Sequence, residues 1–84
     1  MKATFKQLQD TGASEVIFAQ RIGGEWKTEL ALRKGLGNII YRDNGNGEFL
    51  PWVMTHDDVI LTGYTWGNAS SMARLDRVLS KLVA

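Results

Sequence analysis

His56-Asp57-Asp58 is the one place in these 84 residues where a base and carboxylates adjoin. A histidine oriented by an aspartate can move a proton near neutral pH, and the same groups could begin a metal site. Neighbouring residues in a tight turn point apart, however. No serine, cysteine or lysine nucleophile is tied to them by a motif, and no ligand spacing completes a metal site. The run reads as a polar turn. Asp43-Asn44-Gly45-Asn46-Gly47-Glu48 has the oxygen-rich composition of a calcium loop but not its alternating ligands or its closing glutamate. Two Asn-Gly pairs make it a hairpin turn. Gly35-Leu36-Gly37 lacks the third glycine and the following helix of a dinucleotide site, and no phosphate-binding loop occurs. The chain is expected to carry no catalytic residue, cofactor or metal, and to act through a surface.

Composition narrows the class. Eighty-four residues make a single domain, and apolar and charged shares of 44% and 23% are those of a globular protein. Without cysteine there are no disulfides. The apolar runs are far shorter than the roughly 20 residues of a membrane span, and the N-terminal residues hold no apolar leader core. These features predict a cytoplasmic protein with no membrane partner. A net charge of +1, from ten basic and nine acidic residues, leaves no strong electrostatic footprint for nucleic acid.

The elements follow from periodicity and turn chemistry. Thr4 and Gln7 form a capping box ahead of a short helix over residues 5–11, stopped at Gly12. Residues 14–22 and 25–33 alternate as two strands, joined by Gly23-Gly24, which suits a type I′ turn. Residues 38–42 and 48–54 form a second hairpin, whose Pro51 predicts a sheet edge or a bulge. Residues 59–66 give a fifth strand, with a kink at Gly63. Asn68 caps a helix over residues 69–83, whose inward stripe is Met72, Leu75, Val78, Leu79, Leu82 and Val83. The expected fold is α+β: an antiparallel sheet of about five strands with the C-terminal helix packed on one face.

The sheet carries more apolar surface than this can cover. The long helix covers one face, and the short helix only part of another. A barrel-like curl would absorb the remainder. In an open sheet, Trp52, Tyr64 and Trp66 would form an exposed patch suited to a partner. The basic stripe Arg74, Arg77 and Lys81 on the last helix adds a second element of the candidate partner-binding surface. Arg21, Lys27, Arg33 and Arg42, interleaved with Trp26 and Tyr41, would suit stacking of a single-stranded nucleic acid. Glu15, Glu25 and Glu29 interrupt that pattern.

Residues 51–64, running from Pro51-Trp52 through the polar turn to Asp58-Val59-Ile60 and Tyr64, resemble the C-terminal signature of the small phage anti-Thoeris proteins. That resemblance implies sequestration, without degradation, of cyclic-nucleotide-like immune signals by an oligomer. It spans about a sixth of the chain. The chain departs from the family by continuing into a full helix, and only Arg21 and Trp26 stand near the family's early Arg-x-x-Trp. No ligand site is carried over. In style, a cysteine-free α+β chain without catalytic motifs resembles phage-encoded inhibitors such as anti-CRISPR proteins. The leading expectation is therefore a non-catalytic binding protein that inhibits a host protein, in particular a defence protein, by occupying its surface. Small-nucleotide sequestration by a homo-oligomer and single-strand binding are the alternatives.

Overall fold

The computed structural model describes residues 3–35 and 37–82. Leu36, in the predicted connection, and Val83, in the predicted helical stripe, lie outside them. Among the described residues the order is β1 (Ala3–Thr4), α1 (Phe5–Asp10), β2 (Ser14–Ile22), β3 (Glu25–Arg33), β4 (Ile39–Asp43), β5 (Glu48–Val53), β6 (Asp58–Leu61) and α2 (Ala69–Leu82). They build one antiparallel α+β sheet in the order β1-β5-β4-β3-β2-β6. The sixth strand, β1, escaped the sequence because two residues carry no periodicity.

Local chemistry sets these elements. The Thr4 hydroxyl accepts the Gln7 N–H at 3.2 Å and the Gln7 side chain accepts the Thr4 N–H at 2.9 Å, so the capping box starts α1. Gly23 and Gly24 both take positive φ, 59° and 82°, at the β2–β3 turn. Asn68 Oδ1 accepts the Ser71 N–H at 3.0 Å and caps α2. Pro51 sits where β5 pairs only with β4, because β1 covers β5 at Glu48 and Phe49 alone. The last strand is shorter than its apolar pattern predicts: β6 stops at Leu61, and Gly63 at φ 84° turns the chain away before Tyr64 and Trp66.

Cross-strand register sorts the side chains onto two faces. Ile17, Ala19, Trp26, Leu30, Leu32, Phe49, Val59 and Leu61 share one; Val16, Phe18, Ala31, Ile40, Trp52 and Ile60 share the other. Both helices lie on the first. Leu75 and Leu79 of α2 pack on Ile17 and Ala19, while α1 brings Leu8 against Leu32 and Phe49. The expectation that α1 would help cover a different face from α2 is therefore corrected. Phe5 packs beside Phe49 at 5.8 Å between ring centroids, and that contact holds α1 on the helix-bearing side.

The second face is nonetheless dry: Phe18, Ala31 and Ile40 have no exposed surface. Curling explains this. β5 and β6 lie four strand spacings apart in the sheet order, roughly 19 Å if the sheet were flat. Residues 54–57 join them, and five Cα steps reach at most about 18 Å fully extended. The link also contains a turn, with the Asp58 N–H donating to the Thr55 carbonyl at 3.1 Å. The alternating pairings make β5 and β6 run the same way, so they are two segments of one bent strand. The first segment pairs with β4 and the second with β2. The sheet curls around Phe18, bringing Met54 and Ile60 over the core of this face, while its end strands β1 and β6 stay unpaired with each other.

Candidate interaction surface

The concave face is closed by a stack rather than by a helix. Arg42 lies between two rings, its Cζ 4.8 Å from the centroid of Phe18 and 4.7 Å from that of Trp52. Its Nε and Nη2 donate to Glu29 Oε1 at 3.1 and 2.6 Å. Both side chains are half-buried, which strengthens the pair relative to a solvated one. The planar guanidinium can do what a lysine cannot: stack on two aromatic faces while its edge meets a carboxylate.

Asp58 fastens the bend. Its Oδ2 accepts the Thr55 N–H at 2.8 Å, the Trp52 indole N–H at 3.2 Å and the Thr55 hydroxyl at 3.3 Å. Burial raises the carboxyl pKa. Hydrogen bonds from the Thr55 N–H, the Trp52 indole, the Thr55 hydroxyl and Gln20 outweigh that effect, so the net shift is below the ordinary value. A lowered folded pKa means the unfolded chain binds the proton more tightly. The stabilisation is thus complete above the unfolded carboxyl value of about 3.9 and is lost as pH falls through the folded value. Asp58→Ala is expected to cost about 1–2 kcal/mol at pH 7, with the difference from wild type shrinking below about pH 4. Urea titrations at pH 7, 4 and 3 check this, and a pH-independent difference would remove the charged clasp.

The sequence-predicted surface residues separate in space. Trp52 stands on the concave face. Tyr64 packs against the core under α2, with Arg74 Cζ 5.3 Å from its ring centroid. Trp66 lies beside Tyr64 and Leu30 on the helix-bearing face and lines clefts of about 190 and 340 Å³ there. Trp52 is therefore not part of one patch with Tyr64 and Trp66. Arg77 and Lys81 are exposed on the outer side of α2. The imagined stacking platform also divides: Lys27, Arg33 and Arg42 share the concave face, while Trp26 and Tyr41 share the other. His56 is exposed with its Nε2 3.5 Å from Asp57 Oδ1, as a turn residue would be. The 43–47 loop uses Asp43 Oδ1 to accept the Gly45 and Gly47 N–H groups at 2.8 and 3.2 Å, spending the carboxylate on the turn itself.

The free edge of β5 leaves apolar side chains exposed on both faces of the sheet. Ile39 and Val53 face each other across β4 and β5 on the helix-bearing side, while the next pair, Ile40 and Trp52, points to the concave side. Ile39, Trp52 and Val53 are 48%, 37% and 65% exposed, and Pro51 adjoins them. Pro51 marked this edge in the sequence and Trp52 was expected at a surface, whereas Ile39 and Val53 were not singled out. The absence of a neighbour beyond β5 at residues 50–53 accounts for the exposure. Among the described residues, no group of three metal-ligating side chains occurs and no helix is long and apolar enough to cross a membrane. Comparison with protein-family models, curated proteins and solved structures finds no match for this chain.

Proposed function

We propose that this chain is a non-catalytic binding protein that acts by covering a surface of another protein. Inhibition of a host protein, of the kind phages direct at defence systems, is the specific form this reading takes. The observation that carries it is the unpaired edge of β5, where Pro51 and Val53, with Ile39 beside them, stay exposed on the helix-bearing face and Trp52 on the concave one. Apolar groups left in water on a small, otherwise well-sorted sheet mark an interface, and an exposed tryptophan among them is the usual anchor of one. Arg42, stacked beneath Trp52, holds that indole in place and lowers the entropy lost on docking.

Val53→Asp tests the reading, because its side chain projects from the fold and its replacement leaves the core intact. A partner co-purified from source cells by the wild-type chain should bind the variant at least ten-fold more weakly, about 1.4 kcal/mol. Circular dichroism and the melting temperature should match wild type. Undiminished binding by the folded variant would move the interface elsewhere.

A further inference from the structure

α1 is only six residues long and leaves part of its side of the sheet uncovered. Leu8 seats it on Leu32 and Phe49, with Ala3 and Tyr41 packed at the margin of that cluster. There the surface opens into a cavity of about 460 Å³, lined by residues of α1 together with Ala3, Lys34 and Tyr41. That is the size of a small-molecule site. Its apolar part comes from the buried Leu8 with Ala3 and Tyr41.

The polar groups around the cavity are mostly donors. Lys34, the first residue after β3, makes no ion pair or hydrogen bond among the described residues. The Tyr41 hydroxyl has no partner among them either. Gln7 spends its Oε1 on the Thr4 N–H at 2.9 Å, so its NH2 group remains to donate. The Thr11 hydroxyl is committed to the Leu8 carbonyl at 2.9 Å. Asp10, the carboxylate of the lining, is already met by Lys6 at 3.3 Å. Lys34 is therefore the charge on the cavity wall that lacks an opposite.

We propose that this cavity binds a small carboxylic acid with an apolar body. The body lies against Leu8 and Tyr41, and the carboxylate is met by Lys34, with Gln7 and the Tyr41 hydroxyl as further donors. A carboxylate only accepts hydrogen bonds, and charge-assisted ones are the strong kind, so it can use all three groups. An amine would find only Asp10, which Lys6 already shares. Both halves of the ligand are needed, because an exposed ion pair alone contributes little and removal of the apolar body from water supplies the rest. The lining shares no residue with the β5 edge at Pro51, Trp52 and Val53, so this reading and the partner-covering one fail independently.

Titration followed by amide chemical shifts tests the assignment, using one apolar body with three end groups: phenylpropionate, phenylpropanol and phenylpropylamine. Phenylpropionate is expected to shift the amides of Leu8, Thr11, Lys34 and Tyr41 with a dissociation constant in the millimolar range. That constant should lie about three-fold or more below the alcohol's, and the amine should bind no better than the alcohol. Lys34→Met should leave the alcohol's affinity unchanged and remove the acid's advantage, whereas Lys34→Arg should keep it. Gln7→Glu preserves the capping box, which accepts either residue, but puts a second carboxylate where the donor was. It should weaken the acid relative to the alcohol. Lys34 and Gln7 are exposed, so circular dichroism should show all three variants folded. Absence of shifts at these residues up to the solubility of the acid would overturn the proposal. So would an acid no tighter than the alcohol, tighter binding of the amine, or an acid preference that survives Lys34→Met.

Discussion

Phe18→Ala is expected to destabilise the chain by about 3–5 kcal/mol, lowering the melting temperature by roughly 15–30 °C. Phe18 has no exposed surface and stands at the centre of the curled sheet with Val16, Ala31 and Ile40. No helix can slide in to fill the space, because both helices are on the other side. The truncation also removes one of the two rings between which Arg42 is held, leaving its half-buried ion pair with Glu29 less well positioned. A domain of this size has roughly 4–13 kcal/mol in total, so the variant should be partly unfolded at 37 °C. Urea denaturation followed by tryptophan fluorescence measures this. A loss below about 1.5 kcal/mol would mean the concave face is wetter and less closed than the stack of Phe18, Arg42 and Trp52 implies.

The second large effect is expected at Leu75. Its side chain is fully buried from α2 against Ile17 and Ala19, and Leu75→Ala should cost about 2–5 kcal/mol. The consequence should be local as well as global. α2 is joined to the sheet by this stripe, by Leu79, and by the buried Ser71 hydroxyl, which accepts the Thr65 N–H at 2.7 Å. Removing the central contact should speed amide exchange through α2 more than through the β2–β3 hairpin, whose nine-pair ladder does not depend on the helix. Uniform acceleration across both would show that helix and sheet open only together.

These two residues also mark how the apolar excess of the sequence was resolved. Alternation on both sides of β2 left open whether Phe18 or Ile17 faced a helix, since period-two patterning assigns sides without saying what covers them. The helix stripe of Leu75 and Leu79 was legible because a 3.6-residue period identifies its own inner face. The tryptophans were not legible in the same way. Trp52, Tyr64 and Trp66 are close in sequence, yet the bend at residues 54–57 and the turn at Gly63 send them to different faces. A glutamate and an arginine thirteen positions apart gave no sign of meeting, because Glu29 and Arg42 are joined only by the register of β3 with β4.

The turns, the capping box, the two hairpins, the long amphipathic helix and the α+β class were determined by the sequence alone. Each depends on residues within a few positions of one another: Gly23-Gly24, Thr4 with Gln7, the Asn-Gly pairs and the stripe around Leu75. The tertiary structure alone decided that both helices share one face, that β5 and β6 are one bent strand, that Arg42 closes the other face, and which edges stay open. Those outcomes follow from chain reach and from which strands find neighbours. Both are sums over distant segments that no local pattern records. The surface on which function is proposed, the edge of β5 at Pro51, Trp52 and Val53, was legible in part: Pro51 marked an edge, but that Ile39 and Val53 stay exposed beside it depends on the neighbour that is missing there.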